Sequence, residues 1–374
     1  MSRPTLRQLR AEAVQTTLFA PTTLGRAIEK LGFVQADPIR SPARAQDLIL
    51  RHRVAGYRAG DLDRHFARLR LAEDFVYAYG FMPGSTQRLL HPRRDPRRAD
   101  GRHVPTGLAA KVLAFVQARS AVHPRDLEAE FGRRRAVNGW GGFSKATTRA
   151  LQSLHHYGLL RVAERRDGIR VYEAAPPPPE PLAAEERLRR LVRLVLRLLA
   201  PAPETSLRAA FSLLTRHSPG LGNVRATIAE LMTSGEIERG AVAGETYLWL
   251  AGRLDTVVEE PRVRFLAPFD PVVWDRRRFE HLWGWPYRFE AYTPARKRKL
   301  GYYAMPLLWR DKVIGWVNAS TATGALEIEP GFVKARPKGR DFAREFDAEV
   351  ARFREFLGPP ERASGAEEAL EERP

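Results

Sequence analysis

From Thr106 to Ala174 the chain reads helix, helix, helix, hairpin, and from Glu185 to Ala251 the same order returns. That recurrence constrains the fold more than any other feature. Three short helices followed by two alternating strands is the pattern of a winged helix, a helix-turn-helix relative. In the first copy, AKVLAFVQAR carries apolar residues at helical spacing and HPRDLEAEF gives a second short helix. SKATTRALQSLHHY gives the third, with Ser144 placed to cap its start. The wing, LLRVAERRDGIRVYEA, alternates apolar and polar residues about Arg166-Asp167-Gly168, where Asp-Gly favours a tight turn. In the second copy the helices are RLRRLVRLVLRLL, SLRAAFSLL and NVRATIAELMTSG, and the strands are EIERGAVAG and ETYLWLA. Two such units in tandem are much harder to reach by chance than one.

The flanks extend this to an α+β protein: tandem winged-helix modules followed by a small C-terminal β-barrel-like domain. Residues 1–104 offer helices at TLRQLRAEAVQTTLF, TLGRAIEKLG, PARAQDLILRHRV and DLDRHFARL, then a short strand and turn in EDFVYAYGFMP. A third, degenerate winged helix fits there. The two clear copies fill 105–175 and 185–253, and the four prolines Pro176–Pro179 make 176–184 a stiff, extended spacer. Residues 254–358 turn to strands: VRFLAPF, YRFEAYT, GYYAMPLLW, KVIGWVNAS and ALEIEPGF. They are expected to curl into a barrel, closed by the amphipathic helix DFAREFDAEVARFREFL. Residues 359–374, with five Glu against two Arg, are expected to form a disordered acidic tail.

Charge selects the partner. The 374 residues hold 62 Lys and Arg against 44 Asp and Glu, a formal net charge of +18, which points to a polyanion and most simply to nucleic acid. A GC-rich genome explains why arginine outnumbers lysine, but not why bases exceed acids. No cysteine occurs, which excludes disulfides, thiol catalysis, Cys-ligated zinc and iron–sulfur clusters. No apolar run is long enough for a bilayer and the N-terminus lacks a secretory core, so no membrane association is expected. The expectation is a cytoplasmic, nucleoid-associated bacterial protein that acts as a monomer.

Few residues carry chemistry. The nine His lack metal-ligand spacing, and the adjacent His155 and His156 would point about 100° apart on a helix. No phosphate loop of the GxxxxGK[ST] or GxGxxG type and no GxSxG elbow occurs. No metal and no cofactor are expected. Asp270, Asp275 and Glu290 are the residue types of a magnesium nuclease but lack a Glu-x-Lys partner, and internal ion pairing suits them better to scaffold. FVQADPIRSPARAQDLIL is more informative. Gln35 and Asp37 flank one residue, so on extended chain both side chains face one way, and Pro38 favours that extension. A carboxylate beside an amide can hold a water, one activating it and the other positioning it. Arg40 and Arg44 follow, near a helix start at Pro42, where they can bind a phosphate. Ordinary turn statistics favour a different role for Asp37, as a cap or turn residue.

At these residues the chain resembles the YcaQ family of crosslink-repair DNA glycosylases, relatives of AlkZ. The family's Gln-x-Asp motif matches Gln35-Ala36-Asp37, followed by Ala43-Arg44. A longer match, LAPFDPVVWDRRRFEHLWGWPYRFEAYTPARKRKLGYYAMPLLW, runs from Leu266 to Trp309, and the resemblance covers residues 5 to 356. It implies tandem winged helices with a β-barrel, and Gln35 and Asp37 as the catalytic pair. One segment departs. Where the family has Trp-Ala-His-Glu-Ala before a Met/Leu-Pro, this chain has Tyr77-Ala78-Tyr79-Gly80-Phe81-Met82-Pro83. If the family's His positions lesion or phosphate, rate or substrate range is expected to differ.

The expected function is a monofunctional DNA glycosylase that releases N-alkylated purines of the N7-alkylguanine type, extending to the unhooking of interstrand crosslinks. No lysine nucleophile for β-elimination is identifiable. The alternative is a non-catalytic winged-helix DNA-binding protein or regulator, which accounts for the charge and the modules but gives Gln35 and Asp37 no task. Contacts to DNA are expected from Lys145 and Arg149 on the third helix of the middle module and from Arg165, Arg166 and Arg170 on its wing. Arg225 in the next module and the run Arg296, Lys297, Arg298 and Lys299 complete the set. For Arg276-Arg277-Arg278 and the nearby Trp283, Trp285 and Tyr287, aromatics inside with basic residues on a solvated rim are preferred to a DNA-facing surface.

Overall fold

Thr5 and Gln8 start the first helix with a reciprocal cap. The Thr5 hydroxyl accepts from the Gln8 backbone N–H, and the Gln8 side chain accepts from the Thr5 N–H. Two donors that a helix start leaves unpaired are thereby satisfied. The computed structural model describes residues 4–137, 143–166, 168–176, 182–252, 254 and 260–358. The core of the proline spacer, the Asp167 turn residue and the acidic tail lie outside them.

The N-terminal unit comprises α1 (Leu6–Thr17), α2 (Leu24–Leu31), β1 (Val34–Gln35), α3 (Ala45–Leu50), α4 (Asp61–His65), β2 (Ala72–Phe75), β3 (Tyr79–Met82) and α5 (Gly84–Leu90). Its three strands pair antiparallel in the order β1-β3-β2. The Glu73–Pro83 segment, expected as a strand and a turn, is a full hairpin. Phe75 and Tyr79 close it as an edge-to-face ring pair 5.1 Å apart. Gly80 faces Gln35 across the β1–β3 pair, and a Cβ there would lie 2.3 Å from the Val34 carbonyl oxygen. Only glycine lets these two backbones come so close.

The second unit runs α6 (Gly107–Gln117), α7 (Pro124–Phe131), β4 (Arg135–Val137), β5 (Phe143–Lys145), α8 (Ala146–His156), β6 (Leu160–Arg166) and β7 (Ile169–Ala174). The order of three helices and a hairpin is as expected, with an added two-stranded pair before the third helix. Ser144 sits in that pair opposite Ala136 and does not cap the helix, whose N-cap is Lys145. The third unit runs α9 (Ala184–Leu198), β8 (Ala202–Pro203), α10 (Glu204–His217), α11 (Val224–Thr233), β9 (Ile237–Val242) and β10 (Glu245–Leu250). Here β8 joins the hairpin, giving the order β8-β10-β9.

The C-terminal unit contains β11 (Val263–Phe265), α12 (Pro271–Trp274), α13 (Arg276–Trp283), a 3-10 turn (Ala295–Lys297), β12 (Met305–Trp309), β13 (Lys312–Ser320), β14 (Glu327–Phe332) and α14 (Arg340–Leu357). Among the described residues its sheet is an open antiparallel meander in chain order, β11-β12-β13-β14, and not a closed barrel. One expected strand, Tyr287–Thr293, is absent. The Tyr287 phenol donates to the Ala304 carbonyl at 2.7 Å and pins that segment as a loop. Curling is also unnecessary, because α14 covers the sheet: Phe346 and Phe353 pack their rings 5.5 and 5.9 Å from Phe265. A sheet face buried under a helix has no need to close on itself.

The units share cores. One apolar cluster joins Ile28 and Leu48 of the first unit to Val112 and Leu151 of the second and to Phe265 and Met305 of the last. A second packs the leucine-rich face of α9 against Phe33, Met82 and Leu90. Polar ties reinforce both. Arg53, wholly buried, grips Asp270 through two hydrogen bonds of 2.8 and 3.0 Å and donates to the Thr17 carbonyl. Arg93 reaches three units at once: Asp74 at 2.7 Å, the His156 carbonyl at 2.8 Å and the Ser218 hydroxyl at 3.1 Å. Among the described residues no helix is long and apolar enough to cross a membrane.

Candidate active site and nucleic-acid face

β1 delivers Gln35 and then stops. The Ala36 N–H still donates to the Tyr79 carbonyl at 2.9 Å, but at Asp37 the chain turns, and the Asp37 carboxylate accepts from the Ile39 N–H at 2.9 Å. Asp37 is thus a turn residue as well as the carboxylate of the Gln-x-Asp motif. Ala36 and Ile39, on either side, pack into the large shared cluster and anchor the turn from within. Asp37 is half-buried. Burial pushes its carboxyl above the ordinary carboxylate range, and the Ile39 hydrogen bond offsets part of that. The Gln35 side-chain oxygen is buried with no hydrogen-bond partner in the protein. An acceptor left open two residues before a partly desolvated carboxylate can take a donor such as water.

The other wall comes from the far end of the chain. Phe269, Phe289 and Tyr303 belong to the same cluster as Ala36 and Ile39. The Tyr303 hydroxyl is also buried and unpartnered, and its acidity is suppressed first by burial and then by the Asp37 charge. The phenol of Tyr292 is raised by the same two causes. Sequence reasoning passed over both tyrosines, although they flank the basic run that it singled out. The aromatics it did weigh lie inward: Trp285 and Tyr287 are buried, and Trp283 donates to the Asp311 carbonyl. Around them Arg278 is fully buried against the carbonyls of Ala200, Pro271 and Val272, and Arg276 stacks on Tyr287, so Arg277 alone of that trio is exposed.

Behind the site the β6–β7 hairpin docks on the N-terminal sheet through Glu73. Arg165 makes two hydrogen bonds to its carboxylate at 2.6 and 2.7 Å, Arg170 one at 3.0 Å, and the Tyr79 phenol donates to it at 2.8 Å. Burial alone would raise the Glu73 carboxyl, but Arg165 and Arg170 outweigh it and hold it below its usual range. Arg165 and Arg170 were expected on an outward wing; their charges are instead engaged inward, because a buried carboxylate needs them. Arg44 pairs with Asp63 at 2.8 Å and lies against Gly168 at the hairpin turn, where a Cβ would stand 2.2 Å from its guanidinium.

The remaining expected contacts stay on the surface. Arg40 is exposed just past the Asp37 turn, Arg149 on α8 and Arg225 on α11. Lys145 and Arg166 are exposed but paired, with Glu128 and Glu164 respectively. Arg296, Lys297 and Lys299 are exposed, whereas Arg298 donates to the Thr293 carbonyl at 2.8 Å. Each of the three carboxylates read as scaffold has an internal task. Asp270 pairs with Arg53 and caps α12, Asp275 caps α13, and Glu290 accepts from the backbone N–H groups of Lys299 and Leu300.

A family model described as DNA glycosylase AlkZ-like matches residues 28–356. Among solved structures, the DNA glycosylase AlkZ of Streptomyces sahachiroi is similar, with a TM-score of 0.62 and 16% identity over 96% of this chain and 98% of that one. At that identity the likeness shows the fold.

Proposed function

This chain belongs to the AlkZ-like DNA glycosylase family, and from that premise we propose that it is a monofunctional glycosylase hydrolysing the N-glycosidic bond of N-alkylated purines in duplex DNA. The observation that carries the reading is the half-buried Asp37 with the unpartnered side-chain oxygen of Gln35 two residues before it. An N7-alkylguanine is cationic, so its bond to C1′ is already weakened. As that bond breaks, its electron pair leaves with the base and neutralises it, and positive charge develops on the sugar. The Asp37 carboxylate stabilises that charge. Gln35 orients a water whose oxygen bonds to C1′, and the water's proton passes to Asp37 and on to solvent.

Tyr79 and Gly80 fall where the family carries His and Glu. Here the Tyr79 phenol is occupied by Glu73, and Gly80 has no room for a side chain. Acid–base work therefore rests on Asp37. The second and third units read as winged helices, and Arg40, Arg149, Arg225 and the loop at residues 296–299 as the phosphate contacts. A half-buried carboxylate set among residues from remote parts of the chain suits lesions too bulky to be flipped into a pocket, crosslinks included. The protein acts as a monomer on this reading.

Asp37→Asn is expected to abolish release of N7-methylguanine from methylated duplex DNA while affinity stays within a few-fold, since a transition-state carboxylate adds little to ground-state binding. Gln35→Ala should slow release less. Release at the wild-type rate by Asp37→Asn removes the assignment; a Gln35 variant slower than the Asp37 variant reverses the two roles.

A further inference from the structure

Among the described residues Tyr292 is the most open of the large apolar side chains, at 78% exposed, and Tyr302, at 42%, lies on the same loop. Nothing in the packing requires a ring in water there. Nor is the loop loose. Glu290 ties its two ends by accepting from the Lys299 and Leu300 N–H groups, each at 2.8 Å. Asn318 donates to the Leu300 carbonyl at 2.8 Å. The Arg298 guanidinium is held by the Thr293 carbonyl and lies over the Tyr302 ring at 4.9 Å. At the base, Phe289 meets Tyr292 and Tyr303 edge to face at 6.1 and 5.3 Å and is rooted in the cluster that also holds Ala36 and Ile39, the neighbours of the Asp37 turn. The exposed ring is thus carried on a braced loop that shares its foundation with the candidate catalytic carboxylate. Arg296, Lys297 and Lys299 are exposed on the same loop.

We propose that Tyr292 is a nucleobase-stacking site, with the cations that follow it holding the flanking phosphates. A flat ring beside a row of cations is the combination that nucleic acid offers partners for, since every base has a π-face and every nucleotide a charge. In an intact duplex the base faces are already covered by one another. Tyr292 therefore engages a base where the stack is broken, at the distorted or emptied position in front of Asp37. This deepens the glycosylase reading by naming the group that senses the disrupted stack, yet it is testable apart from base release.

The test measures affinity for a duplex with one tetrahydrofuran abasic site and for the intact duplex of the same sequence, at two salt concentrations. Tyr292→Ala is expected to lose roughly tenfold on the abasic duplex and little on the intact one. Its salt dependence should match wild type, because no charge is removed. Tyr292→Phe should bind like wild type, since the ring and not the hydroxyl stacks. Exposure at this position predicts unchanged melting for both variants. Equal loss on both duplexes, no loss for Tyr292→Ala, or equal weakness of the Phe and Ala variants overturns the proposal. If wild-type protein releases no alkylpurine while this pattern holds, the glycosylase reading fails and the stacking site stands.

Discussion

A carboxyl whose folded pKa lies above its unfolded value makes ionisation unfavourable to folding. Asp37 is such a group, with burial as the main cause. Its contribution to stability is fully present below the unfolded pKa and is lost as pH rises through the folded one, so at neutral pH the ionised side chain works against the fold. The hydrolysis proposed above uses that same ionised form. Two consequences follow at this residue. The acid limb of kcat/KM should lie above the ordinary carboxylate range, with activity falling as pH falls through it. Asp37→Asn, which keeps an oxygen for the Ile39 N–H, should melt at or above wild type near pH 7 and lose that advantage in acid. A variant that melts lower at pH 7 would mean the carboxylate stabilises the fold. The Gln-x-Asp spacing was legible in the sequence because both residues lie within one turn of chain. Tyr303 and Tyr292 were not, since both pack against Phe289, which joins Ala36 and Ile39 in a cluster assembled from remote parts of the chain.

Elements depend on partners remote in sequence. The β6–β7 hairpin was legible from its alternation and its Asp-Gly turn, but its docking was not: the carboxylate that anchors Arg165 is 92 residues away. Period-two alternation tells which face is polar and cannot tell whether that face meets water or a buried acid. The supposed strand at Tyr287–Thr293 failed in the complementary way. Its pattern suited a strand, but Tyr287 is tied to Ala304 and no neighbouring strand takes up its backbone. The anchoring predicts a large cost for Glu73→Gln. It would leave the guanidinium groups of Arg165 and Arg170 on a neutral amide, and breaking a buried pair from one side costs about 3–5 kcal/mol. Because Glu73 is held below its usual range, its contribution is present above the unfolded carboxylate pKa and is lost as pH falls through the folded value. The destabilisation should therefore be full at pH 7 and shrink in strong acid, and amide exchange in β6 and β7 should quicken. Unchanged denaturant stability for Glu73→Gln would show the hairpin is held by its apolar contacts alone.

For the whole molecule, the sequence charge of +18 was readable at once, but which cations face outward was not. Folding draws Arg53, Arg93, Arg165, Arg170 and Arg278 into internal tasks, where they satisfy carboxylates and backbone carbonyls. The cations left for DNA are fewer and more localised than composition suggests, and the loop beside the Asp37 face holds a dense group of them. Duplex affinity should fall steeply with salt, by about 0.9 in log K per unit of log salt for each phosphate neutralised. Replacing Arg296, Lys297 and Lys299 together by Gln should weaken binding and reduce that slope by roughly 2–3 if each meets a phosphate. Arg298 is left in place because it braces the loop through Thr293 and Tyr302. Melting should barely move, since exposed charges contribute little to folding. An early-melting triple variant with wild-type affinity would make the loop scaffold and leave DNA binding to the exposed arginines of α8 and α11. A full loss of affinity with the slope unchanged would mean that the loop shapes the site without touching phosphate.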